Sequence, residues 1–226
     1  MKLSFVFLAL ASAQEKAEDV LNSDFERNRN PVNQLKFLTA AFFQAKTGQG
    51  YVSNYANDLL NKYFRYGCHC YITNKEEMIE RVHGRPVDSL DNKCKAYRDC
   101  LMCVGDKHGD ECLSRRSYRW QYSEGMPIPV NSAGSCERDL FECNFQLVKG
   151  IFAERDTFNE DYHHSLSTIG FNREDKDNFC PSNAGTPIQH QCCGGYDSPW
   201  HWISMNNNRC CANGESGVVV GANDQC

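Results

Sequence analysis

Hydrolytic chemistry needs a general base, a group that orients it, and something to hold developing negative charge. Histidine is the usual base, and the chain carries seven. His69 lies inside Tyr66-Gly67-Cys68-His69-Cys70. His83 precedes Gly84-Arg85-Pro86, His108 stands two positions before Asp110, and His163-His164 form a doublet in a polar stretch. Each reads as a surface or packing histidine. Cys100-x-x-Cys103 has the spacing of a redox dithiol. Tyr196, Trp200, His201 and Trp202 cluster between two cysteine doublets. Such aromatic rings could stack on sugars or a partner surface, or form the core of a small stapled module.

Fourteen cysteines in 226 residues is a dense, even count. It calls for an oxidising compartment. The spacings do not repeat as the matched C-x-x-C pairs of a zinc site. The amino end agrees. Met1-Lys2 is basic, Leu3 to Leu10 is apolar, and Ala11-Ser12-Ala13 forms a cleavage site before Gln14. Residues 1–13 read as a secretory signal peptide, too short to span a bilayer. No later apolar run is long enough for a transmembrane segment, so the mature protein is expected to be soluble, secreted and extracellular. No N-x-S/T acceptor for N-glycosylation occurs. A net charge of −5 gives neither the basic face that nucleic acid requires nor an overall basic surface for anionic membranes.

The elements that would position this chemistry follow from punctuation and period. Residues 14–30 read as a solvated polar tail, with Glu26-Arg27-Asn28-Arg29 as a possible processing site. Asn30 and Pro31 open a helix whose Leu35, Leu38 and Phe42 recur at helical spacing, and Thr47-Gly48-Gln49-Gly50 closes it. A second amphipathic piece carries Tyr55, Leu59, Leu60, Tyr63 and Phe64. Asp88 or Ser89 caps the next helix, which places Cys94, Tyr97, Arg98 and Leu101 on one face and is expected to end by Gly105. Tyr118, Trp120 and Tyr122 alternate as in a short hairpin. Ser135 caps a further helix from Cys136 to about Phe152. From Pro181 the composition turns to Gly, Asn and Ser with cysteine doublets, so residues 181–226 read as a small unit held by disulfides.

Residues 31–180 resemble the secreted phospholipase A2 family. Tyr66-Gly67-Cys68-His69-Cys70 matches the start of its calcium loop. Pro86-Val87-Asp88-Ser89-Leu90-Asp91 matches the lead into its catalytic helix almost letter for letter. The resemblance implies a mainly α, disulfide-rich fold with two long antiparallel helices and a short β-hairpin, followed here by the Cys-rich C-terminal unit. It implies Leu35, Leu38 and Phe42 as lipid-channel residues. It also implies the pairings Cys70–Cys94, Cys100–Cys143, Cys112–Cys136 and Cys68–Cys180. One family bridge loses both halves together, at Lys93 and Gly150. Cys103 is then left to join a C-terminal cysteine, and beside this framework a redox role for Cys100-x-x-Cys103 is disfavoured. Gln191-Cys192-Cys193-Gly194-Gly195-Tyr196 with Asn208-Arg209-Cys210-Cys211 resembles the di-cysteine repeats of galaxin-like matrix proteins.

The same alignment strips out the family's chemistry. Its catalytic His falls on Tyr97, its calcium-binding Asp on Arg98 and its orienting Asp on Asn144. A phenol is a poor base at neutral pH. A guanidinium accepts no metal and repels a divalent cation. The Gly-rich loop is replaced by Tyr71-Ile72-Thr73, and the segment to Pro86 is about eight residues longer than the family's. We therefore expect no catalytic residue, no metal and no cofactor. In their place we expect a polar network in which Tyr97 bonds Asn144 or a carbonyl and Arg98 finds a carboxylate. The expected function is a non-catalytic scaffold or binding protein of an extracellular matrix or secretion, whose partner is a matrix protein, a carbohydrate or a lipid. The alternatives are an active calcium-dependent phospholipase A2, or a lipid-binding, membrane-disturbing effector without hydrolysis.

Overall fold

The computed structural model describes residues 31–48, 58, 61–72, 84–115, 117–181 and 189–226. The signal peptide expected at residues 1–13, the polar segment to Asn30, Tyr55, Leu59, Leu60, the charged insert from Lys75 to Arg81 and His83 lie outside these residues.

Helix α1 spans Pro31–Thr47, and proline at its first position sacrifices no helical donor. It stops where Gly48 takes φ +68° and returns its N–H to the Gln44 carbonyl at 2.9 Å. Two short antiparallel strands follow, β1 (Arg65–Tyr66) and β2 (Cys70–Tyr71).

Helix α2 spans Ser89–His108. Asp88 caps it, accepting the Asp91 N–H at 2.8 Å. It buries Leu90, Cys94, Tyr97, Leu101 and Val104 along one stripe, while Arg98 stands at the edge of that stripe. The expected stop at Gly105 is corrected. The helix runs one turn further because Gly105 packs under Leu113, whose Cδ1 would sit 3.0 Å from an added Cβ. The terminator is Gly109, at φ +81°, whose N–H reaches the Gly105 carbonyl at 2.7 Å.

Helix α3 (Asp110–Arg115) and the hairpin of β3 (Trp120–Ser123) with β4 (Met126–Pro129) lead to helix α4, Cys136–Glu154. The Ser135 hydroxyl caps α4 by accepting the Arg138 N–H at 3.2 Å. Helices α2 and α4 run antiparallel. At one end the Ser89 hydroxyl donates to Glu154 at 2.7 Å, and at the other His108 meets Asp139 at 2.8 Å. Cys100–Cys143 joins them midway. Helix α1 packs its aromatic side chains on α4, with Phe42 edge-on to Phe145 and Phe152 at 5.6 Å each. Gly150 of α4 lies against the stem of Lys93, so close that an added Cβ would meet its Cγ at 2.9 Å.

The C-terminal unit is two hairpins, β5 (His190–Gly195) with β6 (Ser198–Ser204) and β7 (Asn208–Asn213) with β8 (Ser216–Gly221). Among its described residues the buried apolar side chains are Cys193, Ile203 and Cys211. That is too little to fold on, so covalent links carry the load. Cys193–Cys210 joins the two hairpins, Cys211–Cys226 pins the end of the chain, and Cys103–Cys192 fastens the unit to α2.

Candidate functional site

The remaining bridges are Cys68–Cys180, Cys70–Cys94 and Cys112–Cys136, which leaves no free thiol. Cys70–Cys94 ties β2 to α2 and thereby brings the Tyr66–Cys70 turn beside the start of that helix. The turn closes around Asp91. This carboxylate is fully buried and accepts three backbone N–H groups, from His69 at 2.7 Å, Cys68 at 2.9 Å and Val87 at 3.1 Å. Gly67 is required here. It takes φ +59°, and an added Cβ would lie 2.3 Å from the Asp91 carboxyl carbon. Burial raises the Asp91 pKa to about 6, with the three N–H bonds opposing the rise. The Tyr66 hydroxyl bonds Asp88 and accepts the Asn159 N–H at 3.3 Å.

Tyr97, Arg98 and Asn144 sit where α2 faces α4. Tyr97 and Asn144 are buried with Tyr118. The Asn144 amide donates to the Tyr118 hydroxyl at 2.7 Å. Burial pushes both phenols above the ordinary tyrosine range, so neither supplies a base at neutral pH. Arg98 lies 3.5 Å from Asp99, whose other oxygen bonds Lys95 at 2.5 Å. The cluster of Tyr97, Tyr118 and Asn144 is therefore uncharged, with Arg98 and its ion pair at the edge.

These residues do not fit a calcium ion. The position that should offer a carboxylate holds a guanidinium, and the nearby Asp91 is engaged by three N–H donors. Among the described residues no three His, Cys, Asp or Glu side chains converge in a metal-binding arrangement. Leu35, Leu38 and Phe42 are buried in the main core.

The histidines fall where packing places them. His69 is buried 3.1 Å from the Gly84 carbonyl, and His163 is buried 3.0 Å from the Asn61 carbonyl. His108 turns away from Asp110 to Asp139. That carboxylate is fully buried near the start of α4 and also accepts the Trp200 indole N–H at 2.8 Å, with Lys107 at 3.7 Å. Sequence reasoning missed Asp139. An acidic residue in the first turns of a helix ordinarily reads as a dipole partner, and the donor that fixes its role lies 61 positions away. The aromatic cluster divides accordingly. Trp200 joins the helical core, seated over Gly195 where an added Cβ would meet its ring at 2.2 Å, while Trp202 packs with His190 at 4.2 Å.

No family model matches the chain. Against curated proteins it is 32% identical over 93 residues to the neutral phospholipase A2 paradoxin-like beta chain of Oxyuranus microlepidotus, covering 41% of this chain and 56% of that one. It is 26% identical over 106 residues to phospholipase A2 homolog 1 of Bothrops atrox, covering 47% and 67%. It is also 26% identical over 105 residues to basic phospholipase A2 homolog LmutTX of Lachesis muta muta, covering 46% and 77%. The protein is thus a distant homologue of snake phospholipase A2 proteins. It spans little more than half the length of the first of these relatives.

Proposed function

We propose that this chain is a secreted, non-catalytic phospholipase A2-like protein that binds rather than cleaves, as a scaffold of an extracellular matrix or secretion. On this reading residues 1–13 are a cleaved leader, 31–180 are the phospholipase A2-like domain and 181–226 are an added unit. The observation that carries it is the neutral interior of Tyr97, Tyr118 and Asn144, with Arg98 outside it. No member of that set takes a proton from water at pH 7, and the set offers no carboxylate to a calcium ion. Seven disulfides support the extracellular setting. The matrix role rests on the resemblance of the C-terminal cysteine doublets.

The test is release of fatty acid from phospholipid vesicles, with and without calcium and with chelator. We expect the background rate in every arm, and no calorimetric calcium binding tighter than about 1 mM. Calcium-dependent hydrolysis would restore the reading of an active phospholipase A2.

One observation favours a second reading, contact with a lipid surface. Leu166 and Ile169 are 46% and 57% exposed on the segment that follows His163-His164. Two exposed apolar side chains three positions apart can dip into an interface. Co-sedimentation with vesicles, lost in a Leu166→Ser/Ile169→Ser variant and without hydrolysis, would favour it. Sedimentation unaffected by those changes would remove it.

A further inference from the structure

A cavity of about 290 Å³ opens where the C-terminal unit meets α2, lined by Ala96, Asp99, His201, Trp202, Ile203 and Val219. His201 and Val219 also line a wider cleft of about 580 Å³ over the hairpin tips, faced by Asp197, Ser198, Asn213 and Glu215. The two form one groove, in the size range of small-molecule sites. It lies on the outer side of α2, away from the interior of Tyr97 and Asn144. We propose that this groove binds a neutral, hydroxyl-rich saccharide, with one sugar ring seated against Trp202 and its hydroxyls bonded to His201, Ser198 and Ser216, and further units lying along Asp197 and Glu215.

Charge selects the ligand class. Asp99 is 6% exposed, with Lys95 at 2.5 Å from Oδ2 and Arg98 at 3.5 Å from Oδ1. Two cations around one carboxylate leave local positive charge, which resists a further cation at this end. Asp197 and Glu215 in the cleft resist sulfate and carboxylate groups at the other. A neutral ligand meets neither penalty. Both Asp99 oxygens face cations, Oδ2 toward Lys95 and Oδ1 toward Arg98, so this residue closes the wall and the ligand hydroxyls turn to the uncharged groups of the hairpins.

The other lining groups suit the same ligand. Burial lowers the His201 pKa, so the ring is neutral at pH 7, with one nitrogen to donate and one to accept. The Ser198 and Ser216 hydroxyls, 3.0 Å apart, can each rotate toward a ligand. Trp202 is held against His190, and an indole is the ring against which the C–H face of a sugar packs. The hairpins supply the platform and the hydroxyls while α2 closes the groove with Ala96 and Asp99, and Cys103–Cys192 helps hold the two sides together.

The experiment is to bind the full disulfide-bonded chain to an array of neutral, sialylated and sulfated oligosaccharides, then titrate the best neutral one by calorimetry. We expect binding among the neutral sugars only, with Kd below about 1 mM. Ser198→Ala and Trp202→Ala should weaken it by about tenfold or more, and Val130→Ser, outside the groove, should leave it unchanged. If Trp202→Ala misfolds, His201→Ala supplies the same readout. The proposal falls if no oligosaccharide binds, if only charged ones bind, if the groove variants bind as wild type does, or if a lysine-rich peptide displaces the sugar.

Discussion

Asp91 shows how one side chain governs the loop around it. Its carboxyl is stripped of water, and three N–H groups compensate only in part, so its pKa rises to about 6. A carboxyl with a raised folded-state pKa binds its proton more tightly folded than unfolded. Its contribution to stability is therefore full below about pH 4 and is lost as pH rises through about 6, a change of about 3 kcal/mol. Thermal melts from pH 4 to 7 should show that slope, and Asp91→Asn should flatten it. At pH 4 the variant should be less stable by about 1–3 kcal/mol, because one amide oxygen cannot accept all three N–H bonds, and that deficit should close as the pH rises to 7. Gly67→Ala should cost at least about 2 kcal/mol in chemical denaturation, since it combines a left-handed φ with a clash against the same carboxyl.

At the scale of elements, the fold rests on two long helices and the contacts at their ends. Asp139 draws three donors from two other elements into the start of α4. Asp139→Ala leaves the Trp200 N–H and His108 without their acceptor, and we expect a loss of about 3 kcal/mol. Amide exchange should accelerate first in β6, which carries Trp200. The legible part of the fold was local. Asp88, Ser135, Pro31 and Gly48 announce helix ends by their own chemistry, and the alternation from Tyr118 to Tyr122 announces a hairpin. What could not be read depends on distant partners. Gly105 looks like a stop until Leu113 packs on it. Asn144 gives its amide to Tyr118, 26 positions away just ahead of β3, which only the folded helices bring close. The groove at Asp99 needs residues roughly a hundred positions apart.

The whole molecule is a small helical core with a second unit that has almost no core of its own. Non-reducing peptide mapping should recover seven cross-linked pairs, among them Cys103–Cys192, Cys193–Cys210 and Cys211–Cys226. A Cys103→Ser/Cys192→Ser double variant should keep the helical circular dichroism signal, while the two hairpins exchange amides faster. Full reduction should unfold the hairpins before the helices.

The span from Cys180 to Cys192 contains no other cysteine. A protease that severs the backbone anywhere in it would not separate the two products. The fragments would co-migrate on a gel until thiol was added, and then part into a large and a small band. Clipping alone thus leaves the quaternary inventory unchanged, and only clipping followed by a reductant can shed the last forty or so residues.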